Sequence, residues 1–531
     1  MTRIRWEDWG VSPFSRARLE KKAVLLRVES KVFDSSRQWA ESFERPEVIS
    51  AAADLVCVRV DADDRPGIAA RYGLGAAILS ADGEVMGRIA EDGAAALALA
   101  LSTARAQPQQ ARASEAAAPV WTGAVGPKDT DPELDFSWPL QALPGVLAMK
   151  PEAWPCIDCL EFLLYASCEW KDGPALKSLV AALSGLAEGP LWDRKSGGFS
   201  PARAQKSLAP NARLARLYWD AFSLTRNELF SRTASQTVGW MTRELFDPAR
   251  GAFLNVRASE SGNRMYADGN AIAALALFKA SAFENDKKHL EAANHILVFL
   301  TQLFDPRRGL AHFWDDGRAS VYGLLGDQAW SCLAFTEAFL MAGNKPHREF
   351  ADVLLRNLFQ ENWQRDHGGF LDRVPSPDDF GALKQPRLPV DLNAVAFEAA
   401  WRLNELKGNA NYRRWVEWGL KHLVPRSKGD ACLAAPLARV MDMVRKGRVD
   451  LELVGRIGDG RTDGFLTALH QHYLPRKIIS FVDPDDQDYL MAHKLQADTY
   501  PRLFGCVQLR PKINVDRPED VPKLLESLAG I

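Results

Sequence analysis

The sequence predicts a multidomain chain: an N-terminal α/β unit, then a closed ring of helical hairpins, an (α/α)6 toroid, then a small C-terminal α/β segment. Three observations predict it. Short β-branched runs alternate with a helical stretch in the first hundred residues, four similar turn segments recur between residues 191 and 370, and strand-like runs return after residue 448. With 531 residues, 47% of them apolar, the chain can bury several cores.

Residues 23–28 and 55–60 read as strands, separated by a polar helical stretch with Trp39 and Phe43 on one side. Residues 76–89 read as two strands around an Asp82-Gly83 turn, and residues 93–106 as an alanine-rich helix. A βαβ start closed by a hairpin and a helix is the thioredoxin-like order, which assigns residues 1–106 to one such domain. Residues 107–148 are expected to be a linker, because 107–135 hold several prolines and few large apolar residues.

The repeat appears once the turns are aligned. Segments 191–199, 245–253, 303–311 and 362–370 place their first turn glycine at Gly197, Gly251, Gly309 and Gly368, a period of 54 to 59 residues. In phase with it, at the start of the next helix, stand Pro210-Asn211-Ala212, Asp268-Gly269-Asn270-Ala271, Asp327-Gln328-Ala329 and Asp391-Leu392-Asn393-Ala394. Each repeat is a turn, an inner helix and an outer helix. About twelve helices fit between Cys156 and Tyr473, enough for six hairpins that must bury one another's apolar faces, so residues 149–447 are expected to close into a ring. Residues 448–531 hold strand-like runs at 450–455, 477–482 and 504–509, with helices at 463–473 and 518–528, an α/β appendage packed on the toroid.

Charge and cysteine usage exclude several classes. Sixty-six Lys and Arg against 68 Asp and Glu leave a formal charge of −2, without the basic surface that nucleic acid rewards. No segment reaches the roughly 18 consecutive apolar residues of a membrane span, and the first nine residues lead into no apolar run. Seven cysteines, an odd number spread over a long chain, make no disulfide framework. A cytoplasmic protein with neither nucleic acid nor membrane as partner is expected.

Trp6-Glu-Asp-Trp9, Glu41-Ser-Phe-Glu44, Val58-Arg-Val-Asp-Ala-Asp-Asp-Arg-Pro66 and Tyr72 resemble the thioredoxin-domain-containing family that includes spermatogenesis-associated protein 20. The helical repeat, Leu451-Glu-Leu-Val-Gly-Arg456 and Tyr473-Leu-Pro475 extend the resemblance over nearly the whole chain. It implies a thioredoxin-like domain before an (α/α)6 domain of the six-hairpin glycosidase type. The helical half also resembles, more remotely, sugar epimerases of the acylglucosamine 2-epimerase type. The sequence departs from the family at the redox motif: the two cysteines expected nine residues before Glu-Ser-Phe fall at Val32 and Ser35. Thiol–disulfide exchange needs a thiolate, and no proline lies between Gly67 and Gln107 to serve as the facing cis-proline. The domain is therefore expected to be redox-inactive and kept for packing or for binding a protein partner.

Asp268, Asp327 and Asp391 are the candidate catalytic residues. If the inner helices start at one end of the ring, these carboxylates converge on one mouth and permit general acid/base work on a sugar-like molecule; helix capping is the plainer alternative. Asn270, Gln328 and Asn393, with Asn211 in the same slot, could hydrogen-bond ligand hydroxyls or tie hairpins together. Trp192, Tyr266, Trp314, Tyr322 and Trp363 gather near the turns, where they could stack on a sugar ring or pack in the core. His312 and His367 are the histidines nearest the turns, at non-equivalent positions, whereas an epimerase wants two opposed bases. Cys156-Ile-Asp-Cys159, with Cys168 beyond it, has no fourth ligand at finger spacing and reads as thiols on an amphipathic helix, so no metal and no cofactor are expected. A redox role for that pair is the lesser reading. Asp61-Ala-Asp-Asp64 lacks the glycine and distal glutamate of a calcium loop and reads as a cap on the helix after Pro66. Together these features point to a carbohydrate-binding or carbohydrate-processing protein, glycosidase-like or epimerase-like. The alternative is a non-catalytic scaffold whose N-terminal domain recognises a protein.

Overall fold

The computed structural model describes residues 3–30, 40–89, 93–106, 137–148, 156–200, 205–257, 263–507 and 512–529. The N-terminal unit runs β1 (Trp6–Asp8), α1 (Val11–Glu20), β2 (Val24–Glu29), α2 (Pro46–Ala51), β3 (Val56–Asp61), α3 (Pro66–Tyr72), β4 (Gly75–Leu79), β5 (Val85–Ile89) and α4 (Ala94–Ala106). The sheet order is β1-β3-β2-β4-β5, with β1, β3 and β2 parallel and β4 and β5 antiparallel. β2 is apolar on both faces because it lies centrally: Leu26 packs with Phe14, Val58 and Ile68 on one side, Leu25 with Phe43, Val48 and Leu97 on the other. Val32 and Ser35 lie outside the described residues.

Among the described residues, twelve helices form the ring. Six are inner: α6 (Ile157–Glu169), α8 (Leu208–Thr225), α10 (Ala267–Glu284), α12 (Leu325–Ala342), α14 (Val390–Lys407) and α16 (Ala431–Lys446). Their outer partners, in the same order, are α7 (Gly173–Glu188), α9 (Glu228–Glu244), α11 (Lys287–Gln302), α13 (Lys345–Glu361), α15 (Ala410–Leu423) and, for the last, α5 (Trp138–Leu147). Each inner helix packs on the next, and α16 packs back on α6, which closes the (α/α)6 toroid. Sequence explains the layers. α10 is apolar on every side and rich in alanine, so Ala271, Ala273, Ala274 and Ala276 let neighbouring helices crowd in, whereas α15 offers one stripe, Tyr412, Val416 and Leu420. α5 corrects the linker assignment. Trp138, Leu143 and Val146 join the toroid core, and the helix covers α16 where a twelfth member is needed.

The turns hold short strands: β6 (Phe246–Asp247) with β7 (Ala252–Phe253), β8 (Met265–Tyr266), β9 (Phe304–Asp305), β10 (Gly309–Asp315), β11 (Arg318–Tyr322), and β12 (Trp363–Gln364) with β13 (Gly369–Phe370). The recurring glycine is a backbone requirement: Gly251 sits at φ +65° and Gly368 at φ +63°, where a side chain would strike His295 or His422.

The C-terminal segment forms β14 (Val449–Val454), α17 (Gly460–His470), β15 (Lys477–Val482), α18 (Gln487–Ala492), β16 (Arg502–Val507), β17 (Ile513–Val515) and α19 (Val521–Ala529), with strand order β15-β14-β16-β17. It packs on Phe339 and Leu340, at the C-terminal end of α12. Residues 471–477 seal that end of the ring. Gln471 donates to Ala282 O (2.7 Å), Tyr473 N to Ser223 Oγ (2.9 Å) and Arg402 to Pro475 O (3.0 Å), so the plug spans three inner helices. Among the described residues no helix is long and apolar enough to cross a membrane.

Candidate functional site

The inner helices start at the opposite end. Between the Gly309 turn and α12, strand β10 runs on to Asp315, reverses at Asp316-Gly317, returns as β11 and also pairs with β8. This insertion lays His312 across the starts of α10 and α12. His312 Nδ1 lies 3.0 Å from both carboxylate oxygens of Asp327, and its ring packs edge-on to Tyr266 at 4.9 Å. Asp327, 1% exposed, also accepts the Asp268 backbone N–H at 3.3 Å, and Asp268 accepts from Gly269 N at 2.7 Å.

Electrostatics separate the three groups. Loss of water and the neighbouring Asp327 charge push the Asp268 pKa up to about 6. Burial works against a charged His312, but the Asp327 carboxylate outweighs it and raises the imidazole to about 9. Asp268 thus titrates close to neutrality beside an Asp327–His312 ion pair. One donor atom from each of the three lies within 4.8 Å of the others, so they meet the spacing of a cation site, while His312 Nδ1 is engaged by Asp327.

Capping of its own helix accounts in part for Asp268, which accepts from Gly269 N, and for Asp391, which accepts from Leu392 N, but not for Asp327. The N-cap positions are held by Tyr266, Leu324 and Pro389, and Asp327 receives the N–H of the neighbouring helix instead of its own. Asp391 stands apart: its side chain keeps contact with solvent, and the surrounding walls and the Asp158 carboxylate raise its pKa, with Arg387 and Arg213 nearby.

Several other expectations need correction. Asn270 is fully buried, accepts from Phe253 N (2.7 Å) and donates to Phe253 O and Tyr266 O. Asn393 does the same to Phe370 and Pro389, and Asn211 to Phe199 and Ser207. Their amides are spent on pinning each turn to its inner helix, which leaves nothing for a ligand. Gln328, also fully buried, lies against the Gly309 turn. Trp192 and Trp363 belong to the repeat as well: they pack on Phe199 (4.9 Å) and Phe370 (5.0 Å), as Phe246 does on Phe253 (5.0 Å). Tyr266 remains at the site, while Trp314 and Tyr322 lie under the guanidinium groups of Arg250 and Arg308. His367 sits in the Arg365–His367 turn, away from His312.

The N-terminal unit lies over the mouth. Arg264 meets Asp61 (3.5 Å), Asp63 (3.3 Å) and Asp64 (3.0 Å), together with Asp315 (3.2 Å). The acidic loop therefore reaches across to the toroid, and the N-cap of α3, Arg65, makes no side-chain capping hydrogen bond. Arg71 pairs with Asp372 at 2.8 Å, and Trp9 stacks on Phe380 at 4.9 Å. A cavity of about 580 Å³ between the two units is walled by Trp9, Ile68, Tyr322, Arg373, Asp379 and Phe380. It adjoins the mouth, and Asp268, His312 and Asp327 are not part of its walls.

At the seam of the ring, Cys156 and Cys159 meet Cys432 of α16. A hydrogen bond from Cys159 lowers the Cys156 thiol below its usual range, while burial raises Cys432. Cys168 is buried farther along α6, facing Tyr473 O.

No protein-family model matches the sequence, and comparison with the curated proteins yields no match. Solved structures do match. The GH76 alpha-mannanase of Bacteroides thetaiotaomicron is 13% identical, with TM-score 0.48 over 58% of this chain and 96% of its own. A D-mannose isomerase gives 13% identity and TM-score 0.48 over 60% of this chain and 100% of its own. A heparin-specific unsaturated glucuronyl hydrolase gives 13% identity and TM-score 0.46 over 58% of this chain and 95% of its own.

Proposed function

We propose that the mouth is an acid/base centre that acts on a carbohydrate or a similar polyhydroxylated molecule. The observation that carries this reading is His312 Nδ1 held 3.0 Å from Asp327, with Asp268 alongside. Asp327 fixes the imidazole through Nδ1–H and leaves Nε2 for proton exchange. Asp268, with a pKa of about 6, populates both protonation states near neutral pH and can give or take a proton. Donor atoms of the two carboxylates lie within 4.8 Å, too close for the water that an inverting hydrolase places across a gap of roughly 6.5–9.5 Å. That spacing excludes inverting hydrolysis alone, since a retaining hydrolase holds its carboxyl groups about 5–5.5 Å apart; direct proton transfer at a carbon beside a sugar carbonyl, as in epimerisation or isomerisation, is favoured by the imidazole that stands with the two acids.

The test is incubation of the full chain with aldoses and ketoses in D2O, reading deuterium gained at the carbon beside the carbonyl. Exchange that disappears in Asp268→Asn and His312→Gln supports the reading. Absence of exchange with every sugar, together with no sugar-dependent change in melting temperature, contradicts it.

A second reading is favoured by one observation, the Asp61, Asp63 and Asp64 carboxylates paired with Arg264 over the mouth. There the toroid is a rigid platform, and the N-terminal unit, of thioredoxin-like strand order, binds a protein partner. Its sole cysteine, Cys57, is buried in β3 with its pKa pushed up to about 12, so the unit has no dithiol to cycle. Under this reading removal of residues 1–106 abolishes partner capture; capture that survives removal contradicts it.

A further inference from the structure

Three of the seven cysteines converge where the ring closes. Cys156 is the N-cap of α6, Cys159 lies one turn into that helix, and Cys432 is the second residue of α16. These are the first and last inner helices in sequence, and they pack side by side. One sulfur from each residue lies within 4.8 Å of the other two, with Cys159 Sγ and Cys432 Sγ 4.0 Å apart. Cys57, Cys332 and Cys506 are buried elsewhere, and none of the seven cysteines is in a disulfide.

We propose that Cys156, Cys159 and Cys432 form a three-thiolate site for one zinc ion, which clasps the first inner helix to the last. Sulfur ligands about 2.3 Å from a tetrahedral ion stand about 3.8 Å from one another, close to the 4.0 Å found here. Thiolates select a borderline-soft ion such as zinc over magnesium or calcium, which take oxygen ligands. The N-termini of two helices face the cluster and offset part of its negative charge. Binding converts each thiol to a thiolate and releases its proton to solvent, with no change in oxidation state. Among the described residues the cluster has three donors, so the fourth tetrahedral position is left for water or an exogenous ligand.

The site is distinct from Asp268, His312 and Asp327, which belong to α10, β10 and α12 on the other side of the ring. Its test therefore needs no knowledge of the substrate. Full-length protein, reduced and stripped with a chelator, is titrated with Co2+ as a spectroscopic stand-in and then with Zn2+. The expected result is a thiolate charge-transfer band and the visible bands of tetrahedral cobalt, saturating at one equivalent and erased by one equivalent of zinc. Zinc should also raise the melting temperature and protect Cys432 from alkylation, read by mass spectrometry. Cys432→Ser should weaken cobalt binding by more than the ten- to hundredfold that loss of a supporting hydrogen bond costs a metal site. If that variant fails to fold, the alkylation experiment on the unaltered chain decides the matter. No cobalt spectrum with the reduced protein, unchanged binding in Cys432→Ser, or equal labelling of Cys432 with and without zinc each overturns the proposal.

Discussion

The two ends of the toroid handle buried charge in opposite ways. At the sealed end, Glu398 lies between Arg439 (2.8 Å) and Arg402 (3.0 Å), and Asp220 meets Lys279 at 2.6 Å. Burial alone would raise Glu398, but the two guanidinium groups outweigh it and hold its pKa down at about 2. The space left among these groups is about 40 Å³, room for a water molecule or so. At the mouth, Asp268 and Asp327 are crowded together with one imidazole between two acids, and Asp268 is pushed up instead of down. Paired charge at one end suits structure. Frustrated charge at the other suits proton transfer, and it is tolerated because the rest of the ring holds it in place.

The comparison can be broken at its stronger side first. Arg439→Met strands Glu398 with half its compensation, and loss of one partner from a buried pair costs about 3–5 kcal/mol, read as a lower urea midpoint. A change within experimental error would mean that the sealed end is not held by its ion pairs. A smaller loss, about 1–3 kcal/mol, is expected for Asn270→Ala, which leaves Phe253 N, Phe253 O and Tyr266 O without their partner. Should Asn270→Ala keep full stability but lose sugar binding, its role as a tie would be replaced by a ligand contact.

The smallest effect on stability belongs to the mouth. Asp268→Asn should change stability by about 1 kcal/mol or less at pH 8 while abolishing proton exchange. The sign of its pH dependence follows from the raised pKa. The folded parent takes up a proton near pH 6, the unfolded chain only near 3.8, so the parent gains on the variant as the pH falls from about 6 towards 3.8. Parallel stability curves for the two proteins over that range would contradict the shift.

Much of this was legible in the chain. The glycines at 197, 251, 309 and 368 and the Asn slot that follows them repeat because each turn must reverse tightly and be tied to its helix. That regularity gave the ring. It also misled: Trp192, Trp363 and the asparagines recur because the repeat needs them for its own packing and ties. His312 stands in the sequence only as a histidine near a turn, with no partner assigned, because its role arises from an insertion confined to one repeat, although Asp316-Gly317 between Ala311-His-Phe-Trp-Asp315 and Arg318-Ala-Ser-Val-Tyr322 is a hairpin signal. Cys432 could not be joined to Cys156 by spacing at all, since only closure of the ring brings α16 to α6. α5 falls inside the expected linker because it follows the proline-rich 107–135 stretch directly and its apolar face serves a partner far along the chain. The Asp61–Asp64 loop likewise found its partner, Arg264, in another unit.

The most direct test of the mouth as a proton-transfer site is the titration of His312, followed by NMR of ring-labelled histidine in the full chain and in Asp327→Asn. The pair's stabilisation should be complete below the ordinary pKa of 6.5 and lost as the pH rises through about 9, so the parent imidazole should titrate near 9 and the variant's clearly lower. An imidazole that titrates at or below 6.5 in the parent, or one that is indifferent to Asp327→Asn, would contradict the account.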